Sequence, residues 1–405
     1  MLRRRTAAQA GGLGKKGIRI DKMERPSLSL SECLQVMGEL VFRWVLKART
    51  TGRKPFGRLL TCCAAACALG TPAGARAQTA TAPMPGKPQD LTGLSLEELL
   101  HEDVTPINVL GSHTHLNGQF MIGYRYMFMD MAHNQDGTHE VSEQEVLARY
   151  PVVHTSMSMQ MHMVELMYAP SDWATVMAML PYEVNDMHHL TRTGEQPSTY
   201  SSGLGDVAFM GLFNVLGNPA APTGQRLVLN AGFTAPTGAI DEQASGKQLE
   251  YSMQLGSGTW DLQPGVTYLG ESELFSWGAQ VLGTVRLGRN DRDYRLGDRY
   301  RLSAWSEVKV TDWFGPSVRL DWHAWGKIHG ADPGMDPNRN PAFDATKQYG
   351  ERLDLLFGLN FYIPNGLLKG NRFSVEGGIP VYQNLGGPTI GVDWLITFGW
   401  NYTFH

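Results

Sequence analysis

Apolar and polar residues alternate over the last stretch of the chain, from Trp394 to Phe404. Because successive side chains of a strand point to opposite faces, this period of two predicts a β-strand. One of its faces carries Trp394, Ile396, Phe398, Trp400, Tyr402 and Phe404. So many aromatic residues on one face are typical of a transmembrane β-barrel, which has an apolar exterior, aromatic girdles and a polar interior. The alternative is an edge strand of a soluble β-sandwich.

Similar stretches recur from Gly118 onward, and together they predict an all-β fold, a single antiparallel transmembrane β-barrel of about twelve strands. The predicted strands are Gly118–Met131, Thr155–Tyr168, Asp172–Val184, Leu204–Leu216, Gln225–Thr234, Asp261–Gly270, Leu274–Leu287, Asp298–Val310, Trp313–Gly326, Glu351–Tyr362, Arg372–Val381 and Gly391–Phe404. Short connections follow every second strand, and most of the others are long. Outer-membrane barrels show the same alternation between short periplasmic turns and longer extracellular loops.

Charged residues avoid the apolar face of these strands throughout the predicted barrel. The residues assigned to the lumen are Arg125, Glu165, Arg286, Arg301, Glu307, Lys309, Arg319, Asp321, His323, Arg352, Asp354 and Glu376. An Arg or Lys on the lipid side would cost about 2–4 kcal/mol at the bilayer midplane, which explains the segregation. Two interpretations of this mixed-charge set remain open. It either fills and rigidifies the interior or forms a selectivity constriction.

The N-terminal part of the chain predicts export. A basic stretch, an apolar run from Leu59 to Gly70 and the sequence Ala75-Arg76-Ala77 match a secretory signal peptide at about residues 52–77, within a leader of residues 1–77. The four cysteines all lie in this leader, so we expect no disulfide in the mature chain. A net charge of −4 argues against nucleic acid as a partner.

Residues 78–117 predict a periplasmic linker with a short helix, followed by the barrel over residues 118–405. Ser95 and Glu98 have the spacing of a capping box, and leucines from Leu91 to Leu100 give the helix one apolar face.

The order of several motifs resembles a known family of outer-membrane proteins. These motifs run from Tyr168 to Tyr182, from Gly203 to Asp206, from Leu229 to Gly238 and from Pro380 to Pro388. Over roughly Gly111 to Phe404, the chain is similar to the family "MetA-pathway of phenol degradation". This resemblance implies an outer-membrane barrel in a Gram-negative bacterium and the passage of small molecules such as aromatic compounds. The C-terminal strand also resembles the signal that the barrel-insertion machinery recognises, although His405 follows the usual terminal aromatic residue.

Methionine and histidine are concentrated in the first three predicted strands: twelve of the 19 methionines lie between Met121 and Met187. Thioethers favour Cu(I), and imidazole accepts Cu(I) or Cu(II), so this panel predicts copper as a candidate ligand. The candidate metal residues are Met127, Met129, Met157, Met159, Met161, Met163, Met177, Met179, His113, His115, His188 and His189. The alternative is that methionine supplies a flexible apolar lining for hydrophobic substrates.

The pair Asp321 and His323 has the residue types of an acid–base couple, but no serine lies in a nucleophile motif. We therefore expect no enzymatic activity and no resident cofactor. The sequence predicts an integral outer-membrane channel or transporter, surrounded by lipid, for small molecules that include hydrophobic or aromatic compounds. A barrel that binds or transports copper is the alternative.

Overall fold

The protein is described from a computed structural model, which covers residues 108–218, 221, 223–366 and 368–404. The predicted signal peptide and the predicted helix at Leu91–Leu100 lie outside these residues. Among the described residues, no helix has the length and apolar character needed to cross a membrane.

β-strands make up most of the described chain. They are β1 (Phe120–Gly137), β2 (His139–Val141), β3 (Val152–Ser171), β4 (Ala174–Thr191), β5 (Ser198–Leu204), β6 (Val207–Leu216), β7 (Gly224–Ala235), β8 (Gln243–Ala244), β9 (Lys247–Gln248), β10 (Trp260–Glu271), β11 (Phe275–Leu287), β12 (Tyr294–Arg295), β13 (Arg299–Val308), β14 (Phe314–Trp325), β15 (His329–Gly330), β16 (Gly350–Tyr362) and β17 (Asn371–Phe404). The helical elements are α1 (Glu143–Arg149) and the 3₁₀ turns Tyr251–Met253, Pro341–Phe343 and Ala345–Lys347. Ser142 and Glu145 form a capping box that starts α1.

Eleven strands form a closed antiparallel barrel in the order β1, β3, β4, β6, β7, β10, β11, β13, β14, β16 and β17. The barrel closes where β17 pairs with β1, at Phe404 and Phe120. The prediction of an all-β antiparallel barrel is confirmed. Additional strands, such as β5 beside β4, lie outside this ring.

The strand count differs from the predicted twelve because the last two predicted strands are one continuous strand, β17. Its first arm pairs with β16, with Arg372 opposite Tyr362, and its second arm pairs with β1. In a closed barrel whose neighbouring strands are all antiparallel, the chain must run along the barrel wall an even number of times. The two arms of β17 therefore run along the wall in opposite directions, so that this one strand counts as two passes.

Alternation along β3 sets the inner and outer faces as predicted. Val164 and Leu166 are exposed on the outside, whereas Glu165 and Met167 are buried on the inside. The polar residues near the other end of the outer face are held by tyrosines of β1. The Tyr124 hydroxyl lies 2.7 Å from His162 Nδ1, and the Tyr126 hydroxyl donates to Gln160 Oε1 at 3.1 Å. These hydrogen bonds explain how polar side chains are accommodated on the otherwise apolar face.

The two ends of the barrel differ, as the loop lengths predict. Short turns join β3 to β4, β10 to β11 and β13 to β14 at one end. At the other end, the long connections contain α1 and the short outer strands. Tyr251, Tyr294, Ile328, Met335, Phe343 and Ala345 from three of these loops form a buried apolar cluster, called here the loop cap. The loop cap gives the long-loop end a packed core of its own.

Candidate functional site

The segment from Asn108 to His115 lies inside the barrel near its short-turn end and is called here the plug. Val109 is fully buried in a cluster that includes Met121, Met167, Met177 and Met210 on the inner wall. Two wall side chains donate to the plug backbone. Gln280 Nε2 donates to Leu110 O at 2.9 Å, and Asn230 Nδ2 donates to Gly111 O at 3.2 Å. The predicted periplasmic segment 78–117 thus ends within the barrel interior, which sequence patterning did not indicate.

The two histidines of the plug are buried against the wall. His113 Nε2 lies 3.3 Å from Met121 Sδ, and the His115 backbone N–H donates to Thr175 Oγ1 at 3.0 Å. Their rings are 5.2 Å apart. His113 therefore contacts a methionine of β1, whereas His115 contacts Thr175 of β4.

Between the plug and the loop cap lies a cavity of about 600 Å³. The methionines that line it are Met127, Met129, Met131, Met157, Met159, Met161, Met179 and Met187. They come from β1, β3 and β4, which are adjacent in the barrel, so the sulfur atoms lie on one side of the cavity. The opposite side is polar and includes Asp261, Arg286 and Arg299, from β10, β11 and β13.

Six of the predicted metal residues line this cavity, namely Met127, Met129, Met157, Met159, Met161 and Met179. The other six lie elsewhere around the barrel. Met177 is covered by the plug, and Met163 is buried outside the cavity lining. His188 is exposed, whereas the next residue, His189, is buried. The methionine panel is thus divided into a covered part and a cavity-lining part.

The predicted lumen charges form paired networks on the inside of the barrel. Asp321 accepts from Arg301 Nε at 2.8 Å, from Arg319 Nη1 at 2.9 Å and from Ser303 Oγ at 2.7 Å. Arg319 also donates through Nε to Glu376 at 3.0 Å. Arg319, Asp321 and Glu376 are each at most 3% exposed. The network occupies the lumen between β13, β14 and the first arm of β17.

His323 and Arg352 extend this network. His323 Nε2 lies 3.3 Å from Asp321 Oδ2 and 3.9 Å from Asp354, which Arg352 Nε contacts at 3.0 Å. The carboxylate of Asp321 is therefore shared among two arginines, a serine and His323. This arrangement is that of a structural ion network, since Asp321 serves several partners besides the histidine.

The remaining predicted lumen residues form separate contacts. Arg125 pairs with Glu165 at 3.3 Å, and Arg286 contacts Asp261, a carboxylate absent from the predicted set. Glu307 accepts from the Tyr362 hydroxyl at 2.6 Å. Lys309 follows β13 and contacts Glu271 at 2.7 Å near the short turns, away from the central network.

A buried polar cluster at the long-loop end contains two residues that were not among the predicted metal ligands. His154 lies directly opposite His189 where β3 pairs with β4, and their ring centroids are 5.2 Å apart. Glu250, from the loop that follows β9, lies 3.0 Å from His154 Nε2. Asn340 Nδ2 donates to Glu250 at 3.0 Å and lies 3.2 Å from His154 Nε2.

Glu250 is only 2% exposed. Burial opposes its ionisation, but the electrostatic interaction and hydrogen bond with His154, with further support from His189 and Asn340, lower the pKa of Glu250 to about 2. Sequence spacing gave no signal for this cluster because Glu250 is distant from both histidines along the chain. The concentration of histidine around β3 and β4 was the only available indication.

One solved structure shares this type of fold with a TM-score above 0.5. The chain is similar to an outer membrane channel from Pseudomonas putida F1, with 12% sequence identity, coverage of 75% of this chain and 100% of that chain, and a TM-score of 0.51. The transport unit of the autotransporter AIDA-I from Escherichia coli has 12% identity, coverage of 76% and 96%, and a TM-score of 0.39. The P. putida toluene transporter TodX has 9% identity, coverage of 72% and 91%, and a TM-score of 0.36. No curated protein sequence matches the chain.

One family profile matches residues 167–376, which is just over half of the chain. The matched region runs from the end of β3 into the first arm of β17 and includes the polar side of the cavity. It also contains the Gly203–Asp206 and Leu229–Gly238 motifs that carried the resemblance. The chain therefore belongs to the family described as "Putative MetA-pathway of phenol degradation".

Proposed function

We propose that this chain is an integral outer-membrane channel for small molecules and that hydrophobic or aromatic compounds are its substrates. The observation that carries the proposal is the methionine-lined cavity of about 600 Å³ inside the barrel. Small-molecule sites are mostly apolar cavities of about 300–1,000 Å³. Thioethers make favourable contacts with aromatic rings and adapt to ligands of different shape. The family's description, which refers to phenol degradation, supports the same substrate class.

The exterior of the barrel supports a membrane location. Outward side chains such as Phe209, Phe233, Leu302 and Phe357 are between 40% and 49% exposed, while inward charges are buried. Such a surface is stable in lipid and would aggregate in water. We assign the protein to the outer membrane of a Gram-negative bacterium, exported by the predicted signal peptide. The aromatic second arm of β17 is the segment proposed to be recognised by the insertion machinery.

Planar-bilayer conductance of the full chain, with phenol as the probe, tests the substrate proposal. We expect discrete conductance steps that phenol reduces as it occupies the cavity. Replacing Met157, Met159 and Met161 together by Gln makes the lining polar at similar side-chain length. This variant is expected to need about tenfold more phenol for the same reduction, a change of about 1.4 kcal/mol in binding free energy.

The matched control replaces the same three methionines by Leu, which keeps the lining apolar and removes the sulfur. Phenol sensitivity close to that of the unaltered chain is expected for the Leu variant. Absence of conductance steps from the unaltered chain would contradict the channel proposal. Equal phenol sensitivity of the Gln and Leu variants would contradict the assignment of the cavity as the substrate path.

Copper transport is the second candidate function, and the grouping of eight cavity methionines on one side favours it. Soft thioether ligands select Cu(I). The same variants separate the two functions, because Leu and Gln both lack the thioether. Loss of Cu(I) and Ag(I) binding in both variants would support copper transport. Retained binding would show that these three methionines are not needed to bind the metal.

A further inference from the structure

We propose that His154, His189 and Glu250 form a binding site for a divalent transition-metal ion, Zn²⁺ or Cu²⁺, that fastens a long loop to the barrel wall. One ligand atom from each residue can be chosen so that all three lie within 4.8 Å of one another. The side chains come from β3, β4 and the loop between β9 and β10. The site lies beside the methionine lining and is chemically distinct from it, since its donors are two imidazoles and a carboxylate.

The three residues of this cluster are buried, unlike ordinary surface histidines and acidic residues. His154 is 2% exposed, Glu250 is 2% exposed and His189 is 6% exposed. Ionisable groups are rarely buried to this extent unless they are paired or coordinate a metal. Leu249 and Met253, the neighbours of Glu250, pack with Met157 and Met187 and exclude water from one side.

The hydrogen bond between His154 and Glu250 accounts for only part of the cluster. The imidazole of His189 interacts with the backbone carbonyl of Pro197, but its buried Nδ1 atom makes no hydrogen bond of good geometry within the described part of the chain. A buried polar atom without a well-formed hydrogen bond is energetically unfavourable and calls for a physical explanation. Coordination of one metal ion by His189, His154 and Glu250 explains why all three polar side chains are buried close together.

Two imidazoles and one carboxylate suit Zn²⁺ and Cu²⁺ better than Cu(I), which prefers sulfur donors. In a tetrahedral site with metal–ligand distances of about 2.0–2.2 Å, the donor atoms lie about 3.4 Å apart. The cluster therefore needs to contract by little more than about 1 Å, a movement available through side-chain rotation. Three protein ligands leave the fourth position for water.

Metal binding here would hold the loop cap in place. Glu250 directly precedes Tyr251, a member of the loop cap, and Asn340 brings the loop between β15 and β16 to the same carboxylate. The bound ion would thus connect two wall strands to two long loops at the mouth of the cavity. This role does not depend on which molecule the barrel conducts.

Calorimetric titration with Zn²⁺ and electron paramagnetic resonance with Cu²⁺ test the site. The protein used is the full chain with Cys33, Cys62, Cys63 and Cys67 replaced by Ser, because thiolates would bind either ion. We expect one saturable site whose Cu²⁺ spectrum shows coupling to two nitrogen atoms. His189→Gln and Glu250→Gln are each expected to weaken binding by about a hundredfold.

His188→Gln is the matched control, since His188 is adjacent to His189 and exposed on the opposite face. Its affinity for Zn²⁺ should stay within about twofold of the unaltered chain. Heat-dependent mobility on a gel verifies that each variant has folded. Lack of saturable binding, or equal weakening by His188→Gln and His189→Gln, would overturn the proposal. Because the readout is metal binding alone, failure of the channel proposal would leave this result unaffected.

Discussion

At the scale of single residues, Arg319 is a buried cation of the lumen that depends on two carboxylate partners. It is 3% exposed and contacts both Asp321 and Glu376, which are buried to a similar degree. Removing one partner of a buried pair leaves an uncompensated charge, which costs more than the pair itself contributes. The central network is therefore sensitive to loss of this one guanidinium group.

Arg319→Met is expected to lower the free energy of unfolding by about 3–5 kcal/mol, because Glu376 would lose its cation in a buried position. The measurement is urea denaturation of the refolded protein in detergent. Arg149→Met is the control. Arg149 lies 3.5 Å from Asp136, and their side chains are 51% and 42% exposed. The Arg149→Met control should lower the free energy of unfolding by about 0–1 kcal/mol. Similar losses for both variants would show that solvent screens the central network.

At the scale of a single element, β11 shows how a strand adapts to a large neighbour. Gly278 pairs with Trp305 of β13, and the indole ring lies across the position that a Cβ atom would occupy. Trp305 is 4% exposed and belongs to the cluster that packs around Val109 of the plug. Glycine in a strand is unfavourable in itself, but here it permits the close approach of the ring.

Gly278→Ala is expected to destabilise the barrel by about 1–3 kcal/mol, because the added methyl group overpacks against a rigid ring. The measurement is the temperature at which the folded band disappears from a semi-native gel. Gly283→Ala lies on the same strand and serves as the control. Its added Cβ would lie 3.6 Å from the nearest atom, on Pro264, which is ordinary contact. Equal transition temperatures for the two variants would contradict the proposed packing.

At the scale of the whole barrel, the loop cap contributes to the cavity lining at one end, and the plug packs inside the lumen near the other end. Asn230 and Gln280 hold the plug through its backbone carbonyl groups, and both side chains are at most 1% exposed. Thr267 connects them, since it donates to Asn230 Oδ1 and accepts from Gln280 Nε2, each at 2.9 Å. Passage through the barrel therefore requires the plug to move or to leave a path beside it.

Asn230→Ala combined with Gln280→Ala is expected to increase single-channel conductance. Two hydrogen bonds of about 1 kcal/mol each correspond to a roughly thirtyfold shift toward the displaced plug. Asn360→Ala is the control, because Asn360 donates to Gly315 and Ser317 within the wall. Unchanged conductance in the double variant would show that these bonds do not hold the plug closed.

Much of the barrel was predictable from sequence because alternation is a local property. The assignments of Phe120 outward and Met121 inward required only their spacing along one strand, and burial agrees with both. The number of strands was harder to predict. The chain between Val381 and Gly391 was predicted as a connection, but it belongs to β17, which reverses direction there between its two arms.

The candidate site was predictable only in part. Met157, Met159 and Met161 could be placed on the lumen side by parity, and they line the cavity. The plug was not predictable, since Val109 and Leu110 lack a pattern that distinguishes a buried lumen segment from a periplasmic linker. Its burial depends on Asn230 and Gln280, far away along the chain.

The sequence alone determined which side chains face the outside of the barrel and which face the lumen, because the period of a strand separates them without knowledge of its partners. Tertiary structure decided which lumen residues meet. His154 and His189 become opposite neighbours only through the register of β3 and β4, and Glu250 joins them through the folding of a long loop. The physical reason is that alternation arises within a strand, whereas a site built from distant segments depends on contacts that chain closure creates.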